Sequence, residues 1–469
     1  MLDSLSTLIG SESADDRHTS DQSYWNGPLE TLEWSKVEDW QARQIAVMLG
    51  PLRARSAMYG QLYSSVQSDF RLRNLADLQS LPFTLKDGIR SAQDRCSDSQ
   101  PFGENQAAPL RDIVQTITSS GTTGQPLYYA LTKRDIDIFS DAIANTWYTA
   151  GIRKDDVVAH LVGLPMVAGG LSYADGFRRI GATLCWLGGF PTDRILREMR
   201  RLRTTAILAT TSFGLYLSEQ WDAAGRETGV PSRLTKVLCG GEPGLNQPDI
   251  RDRITRGLEI RHLREVMGLG DVISAMWAEC DAKDGMHFNA QKYVAIELID
   301  PESGTSIPWR EGAIGEVVYT AFARDATPVV RYRSRDHALV TGTGGCTCGR
   351  TSPRIRCIGR TDDMLIYKGM NIFPTSIRDL ISERFAGQVE PMVRIWKDRK
   401  DQVRFDDPIP VDVEISRGIK KTDDIGLASK IEKAVREQLQ VRVAITLLDN
   451  GTLPRSAYKN SLLAVRGSV

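Results

Sequence analysis

Thr118-Ser-Ser-Gly121-Thr-Thr-Gly124-Gln-Pro126 is the stretch on which the reading of this chain turns. Asp112–Ser119, before it, is rich in β-branched residues and predicts a strand, and a second short strand begins at Leu127. Two glycines free the backbone between the strands to curl. The hydroxyl residues and their backbone N–H groups could then cradle phosphate oxygens. No Gly-Lys-Ser/Thr follows and the next element is a strand, so this is not a Walker A loop. On composition alone, a polar hairpin turn is an equal alternative.

Downstream, Thr132 with Asp135 forms a capping box, the stripe Ile136, Phe139, Ile143 and Trp147 predicts a helix face, and Gly151 stops it. Val157–Val162, Ala182–Leu187, Thr205–Ala209 and Leu234–Cys239 are buried-strand candidates with helical patterns between them, an α/β alternation. Upstream, Trp40–Met58 carries Ile45, Met48, Leu49 and Leu52 at helical spacing. After Cys280 the texture changes. Tyr293–Ile299, Ile314–Ala321, Val329–Arg333 and Ala338–Thr341 are short strands, which predict a small antiparallel β subdomain. From Thr361, helices at Thr375–Phe385 and Thr422–Leu439 alternate with strands near Val393, Val403, Val411 and Val443, a small α+β module with its own core.

Fifty-nine basic residues against 59 acidic ones leave no net charge over 469 residues, so there is no basic surplus for nucleic acid or an anionic membrane. No run is long and apolar enough to span a bilayer. The N-terminus lacks a basic n-region, so a cytoplasmic location is expected. Seven cysteines over this length do not resemble a secreted disulfide framework. Cys96, Cys185, Cys239 and Cys357 read as buried small hydrophobes in helical or strand contexts. Cys346 and Cys348 lie in a Gly-rich turn, and Cys280 and His287 flank another. Three thiolates and an imidazole suit a closed, structural zinc site, although the spacing is not that of a standard finger.

Further stretches occur in a telling order: Cys239-Gly-Gly-Glu242-Pro243, Met267-Gly-Leu-Gly-Asp271, Arg331-Tyr-Arg-Ser-Arg-Asp336, Gly359-Arg360-Thr-Asp362, Lys368-Gly-Met-Asn371-Ile-Phe-Pro374 and Arg455-Ser-Ala-Tyr-Lys459. With the phosphate-loop candidate, this series resembles the adenylate-forming superfamily, and most of it resembles the phenylacetate–coenzyme A ligase branch. Tyr24-Trp-Asn and Leu81-Pro-Phe-Thr-Leu-Lys86 resemble that branch's N-terminal region.

The resemblance implies a large N-terminal α/β domain over 1–360 and a mobile α+β lid over 361–469, with a hinge at Asp362. It implies that Ser119, Ser120, Gly121, Thr122, Thr123 and Gly124 hold the phosphates of ATP and that Asp271 helps bind Mg²⁺. Gly241, Glu242 and Pro243 would form the adenine slot, Asp336 would take the ribose hydroxyls, and Arg360 would contact ribose or phosphate. Lys459 would bridge carboxylate and phosphate as the adenylate forms. The acyl pocket would draw on Trp147, Tyr148, Met166, Tyr173, Gly240, Met267 and Gly268, flat and soft walls suited to an aromatic acid. Ordinary core roles for Trp147 and Met166 remain equally open. Some members of the branch share the Glu-Cys…His…Cys-x-Cys-Gly-Arg pattern, which favours zinc at Cys280, His287, Cys346 and Cys348.

The chain departs from the family pattern in places. Gln125 stands where relatives often carry lysine, Met267 replaces an aromatic residue, Asp271 is one methylene shorter than glutamate, and Tyr458 replaces a glycine. The expected activity is ATP- and Mg²⁺-dependent activation of an aromatic or arylacetic acid, followed by transfer to coenzyme A. A carrier-protein thiol or an amine is the alternative acceptor, and a catalytically silent nucleotide-binding scaffold is the rival from another class. A second copy of the chain is an expected partner.

Overall fold

The computed structural model describes residues 23–67, 69–119, 126–162, 166–242, 244–368, 370–399, 402–419, 426–454 and 462–467. A long helix, α1 (Trp34–Arg55), and a short one, α2 (Lys86–Asp94), precede the hairpin of β1 (Ile113–Thr118) and β2 (Tyr128–Thr132). The Thr132–Asp135 capping box then starts α3 (Lys133–Thr149), as its sequence predicts.

The α/β alternation follows: β3 (Val157–His160), α4 (Leu171–Ile180), β4 (Thr183–Trp186), α5 (Thr192–Arg201), β5 (Ala206–Thr210), α6 (Thr211–Thr228), β6 (Lys236–Gly240), α7 (Pro248–Gly257) and β7 (His262–Leu269). These five strands pair in parallel in the order β4-β3-β5-β6-β7. Burial alternates along them. Ala206 and Leu208 join the core under α3 and α4, whereas Ile207 and Ala209 join a second core under α5, α6 and α7.

Next come β8 (Ile273–Glu279), β9 (Met286–Phe288), β10 (Val294–Ile299), β11 (Ile314–Ala321), β12 (Val329–Gly342) and β13 (Arg354–Arg360). The antiparallel part is continuous with the parallel one. A tight turn at Gly270–Val272 folds β8 back onto β7, and the remaining strands extend the same sheet to 11 strands. Every residue of β8 is buried, so the strand needs a neighbour on each edge. Cys96 also differs from expectation: it is exposed just past the end of α2, while Cys239 is buried in β6.

The smaller C-terminal domain has its own core, drawn from residues between Leu365 and Val443. Its elements are β14 (Leu365–Tyr367), β15 (Met370–Ile372), α8 (Pro374–Arg384), β16 (Val389–Lys397), β17 (Arg404–Phe405), β18 (Ile409–Ile415), α9 (Leu427–Leu439), β19 (Val443–Leu448) and β20 (Leu463–Val465). No described helix is long and apolar enough to cross a membrane.

Candidate active site

Open α/β sheets bind ligands beyond the carboxyl ends of their parallel strands. Here those ends present His160, Trp186, Thr210 and Gly240, with the turn after β7 beside them. Thr118, at the end of β1, donates its backbone N–H to the Met166 carbonyl at 2.7 Å, and Ser119 donates to the Leu127 carbonyl at 3.1 Å. The Ser119 hydroxyl is buried and has no partner among the described residues. Ser120, Gly121, Thr122, Thr123, Gly124 and Gln125 lie outside the described residues, as do Pro243, Tyr458 and Lys459. Gly270 packs on the start of this loop: a Cβ there would lie 3.6 Å from the Ser119 Cα.

Asp271 follows and is buried. The Tyr129 hydroxyl donates to its carboxylate at 2.6 Å, Tyr332 hydrogen-bonds to it, and the Lys86 ammonium stands 3.7 Å away. Arg324 fixes the Asp271 backbone carbonyl at 2.7 Å. Burial, reinforced by the Asp271 charge, pushes both phenols well above their ordinary pKa, so they remain protonated donors. Asp271 therefore fits Mg²⁺ as one carboxylate partner, with triphosphate and water supplying the other ligands, which is how this ion is usually held.

Four residues beyond Tyr332, Asp336 pairs with Arg360 across β12 and β13. The Ser334 hydroxyl accepts the Asp336 N–H at 3.0 Å, and the Ser334 carbonyl accepts from Arg360 at 3.2 Å. The two residues expected to meet the ribose are thus brought together. In the stretch expected to flank adenine, Gly241 adopts φ +82°, a conformation that suits glycine. The Glu242 carboxylate accepts the Ser212 N–H at 2.6 Å and so caps the start of α6.

The expected acyl pocket is only partly assembled. Trp147 is fully buried, stacks on Phe177 at 5.3 Å and meets Tyr173 edge-on at 5.0 Å. Tyr173 is half-buried, and its hydroxyl donates to the Ser274 carbonyl at 2.8 Å, three residues from Asp271. Tyr148 does not join them: it packs on Trp25 at 5.8 Å, with the Arg153 guanidinium 3.8 Å over its ring. Met166 is exposed and has φ +59°. Met267 is half-buried on β7, and Gly268 and Gly240 press on backbone, where a Cβ would come within 2.2 Å of Ser274 O and 2.3 Å of Val266 O.

Sequence reasoning missed several neighbours. His160 stacks on Trp186 at 5.1 Å, donates through Nε2 to the Gly170 carbonyl at 2.9 Å, and is lowered to about 4 by burial, so it stays neutral. Lys86, Tyr129 and Tyr332 also went without a role, because their common partner is distant in sequence.

Behind the site, Cys280, His287, Cys346 and Cys348 bring their ligand atoms within 4.8 Å of one another. Zinc–thiolate bonds of about 2.3 Å in a tetrahedron set sulfurs about 3.8 Å apart. The Cys280 and Cys346 sulfurs are 3.7 Å apart. His287 directs Nδ1 to the Ser352 carbonyl at 3.3 Å and leaves Nε2 at 3.4 Å from the Cys348 sulfur. An outer carbonyl that orients a ligating imidazole is the usual support of such a metal site. The set fits a tetrahedral metal ion.

Comparison with known families decides the framework. The AMP-binding enzyme model matches residues 38–321, more than half of the chain, and the AMP-binding enzyme C-terminal domain model matches residues 369–464. The chain belongs to the AMP-binding enzyme family. It lies on the phenylacetate–coenzyme A ligase-like branch of the adenylate-forming superfamily and is an AMP-forming acyl–coenzyme A ligase. Phenylacetate-coenzyme A ligase of Thermus thermophilus is 29% identical over 91% of this chain and 96% of its own length. The Aromatoleum evansii enzyme of the same name is 30% identical over 79% of this chain and 78% of its own. Among solved structures, 2-hydroxyisobutyryl-CoA ligase in the postadenylation state aligns with TM-score 0.85 at 22% identity, covering 98% of this chain and 95% of that one.

Proposed function

We propose that this AMP-binding enzyme activates an aromatic or arylacetic carboxylic acid with ATP and then passes the acyl group to coenzyme A. The observation that carries the proposal is a convergence. Tyr332 joins Asp271 to the strand that holds the Asp336–Arg360 pair, and Tyr173, backed by Trp147, anchors on Ser274 beside the same turn.

In this reading Asp336 takes the ribose hydroxyls, Arg360 reaches ribose or phosphate, and the Gly241–Pro243 loop, fixed through Glu242, flanks adenine. The acid's carboxylate attacks the α-phosphorus and pyrophosphate leaves. Negative charge then concentrates on oxygens that need preorganised donors. Bound Mg²⁺ would neutralise part of the triphosphate charge, with Asp271 as its protein carboxylate. Lys459 takes the bridging role by family resemblance. The second step needs an open route for a thiol, which residues 361–469 supply by turning about Asp362. The Cys280–His287–Cys346–Cys348 set holds a structural zinc and does no chemistry.

Acid-dependent pyrophosphate release across benzoates, arylacetates and short fatty acids, with and without coenzyme A, tests the proposal. Arylacetates or benzoates should give the highest kcat/KM, with the adenylate consumed when coenzyme A is added. Best turnover on short fatty acids overturns the aromatic pocket. An adenylate that persists at saturating coenzyme A moves the acceptor to a carrier-protein thiol or an amine.

A further inference from the structure

Nothing between Thr118 and Pro126 is cationic, and Gln125 stands where relatives often carry lysine. A cation stands beside Asp271, which follows the glycine packed on Ser119. Leu81–Thr84 runs alongside β12: the Thr84 N–H donates to the Arg331 carbonyl at 3.0 Å, and the Arg333 N–H donates back to the Thr84 carbonyl at 3.1 Å. The Thr84 hydroxyl donates to the Val330 carbonyl at 2.6 Å, and the Arg331 guanidinium lies 4.1 Å over the Phe83 ring. Arg331 is itself fixed by a buried ion pair with Glu297 at 2.9 Å. The segment is clamped along β12, and two residues further on it delivers Lys86 to the buried Asp271.

At 3.7 Å the ammonium is steered by charge and not by a hydrogen bond, so its N–H groups can turn to a second anion. Its side chain keeps 26% of its exposure, against 8% for Asp271, so it lies on the open side of that carboxylate. The Ser119 hydroxyl, buried and without a partner among the described residues, belongs to the same neighbourhood, because a Cβ on Gly270, the residue before Asp271, would lie 3.6 Å from the Ser119 Cα.

We propose that Lys86 is a nucleotide-binding residue of this enzyme: a fixed cation, aimed by Asp271, for the β- and γ-phosphates of ATP. This rests on the ATP-dependent ligase reading above. A point charge on a clamped segment would serve triphosphate well and AMP little, because AMP lacks the outer phosphates.

The experiment is equilibrium binding of ATP and of AMP to the full chain, in Mg²⁺ and in EDTA, for wild type, Lys86→Met and Lys86→Arg. Lys86→Met should weaken ATP tenfold or more in both media and AMP less than twofold, with Lys86→Arg recovering most of the loss. An unchanged ATP affinity, or an equal loss for ATP and AMP, overturns the proposal. So does a matched loss in both variants, which would mark Lys86 as a structural partner of Asp271. If wild type binds ATP but no acid elicits pyrophosphate, the ligase reading falls and the Lys86 assignment stands on its binding result. If wild type binds no ATP, both fall.

Discussion

Gly268 shows how tightly single residues bound this site. A Cβ there would stand 2.2 Å from the Ser274 carbonyl, on the backbone of the strand that turns back beside it. Neither strand has a flexible side-chain end to move aside, so Gly268→Ala must shift the β7–β8 turn that carries Asp271. We expect a stability loss of about 1–3 kcal/mol, the usual scale of overpacking, and a fall in acid-dependent pyrophosphate release. Denaturant unfolding and the release assay check this, and no change in either would mean that the turn has slack. The same scale sets the limit of sequence reading. Trp147 lies on the stripe with Phe139 and Ile143, and its burial was legible. Tyr148 is one residue further, about 100° round the helix, and its partner Trp25 belongs to a distant segment. Periodicity gives direction around a helix but not what waits there.

Among elements, the parallel strands were legible because each is a short buried run between helical patterns. β12 was not: Val329–Gly342 reads as two strands because Ser334, Arg335 and Asp336 interrupt its apolar pattern. The interruption is a bulge. The register shifts between Glu316 and Val318 on the facing strand, and Arg335 has φ +62°. Bulges re-aim side chains, and this one turns Asp336 toward Arg360. The cysteine cluster ties the end of β8, β9 and the Cys346–Gly349 turn, and Tyr24 hydrogen-bonds to the Cys348 carbonyl at 2.9 Å. Freshly purified protein should therefore carry about one equivalent of zinc, and stripping it should lower Tm by about 5 °C or more. Elemental analysis returning under about half an equivalent ends that assignment.

Neighbouring strands also set a pH response. Glu265 on β7 is pushed up to about 7, first by burial and then by the charge of Glu279 on β8. The unfolded chain ionises this carboxyl near 4.5, whereas the folded chain holds its proton to about 7. The folded state thus binds more protons in that window. Stability should fall as pH rises from about 4.5 to about 7 and then level off, by up to about 3 kcal/mol. Glu265→Gln should flatten the slope, as denaturant titrations at pH 5 and pH 8 would reveal; a slope that survives the substitution assigns it to other groups.

At the scale of the molecule, the smaller C-terminal domain was legible because a core of its own requires its own apolar pattern, here running from Leu365 to Val443. The contacts between the C-terminal domain and the body were not legible, because polar surface residues carry no periodic signal of their partners. Asp379 on α8 accepts from Asn246 at 3.0 Å and from Gln247, the residues just before α7 and shortly after Gly241 and Glu242. Arg253 on α7 bridges to Glu390 on β16 at 2.6 Å, and the Thr375 hydroxyl donates to the Ile358 carbonyl at 2.8 Å. If residues 361–469 turn about Asp362, Asp379 and Glu390 must leave these partners, whereas Thr375, whose partner lies close to the pivot, moves least. Hydrogen bonds to a charged group contribute about 1.5–3 kcal/mol each. Asp379→Ala should then shift the population away from this arrangement by about tenfold or more, without touching the phosphate, ribose or acid sites. Limited proteolysis at residues 361–363 should accelerate by a similar factor, while ATP affinity stays within about twofold of wild type. The rates of adenylate formation and thioester formation should change in opposite directions, because a lid freed from one arrangement spends more time in the other. Equal changes in both half-reactions, or unchanged proteolysis, would show that Asp379 holds the lid's surface and not its position.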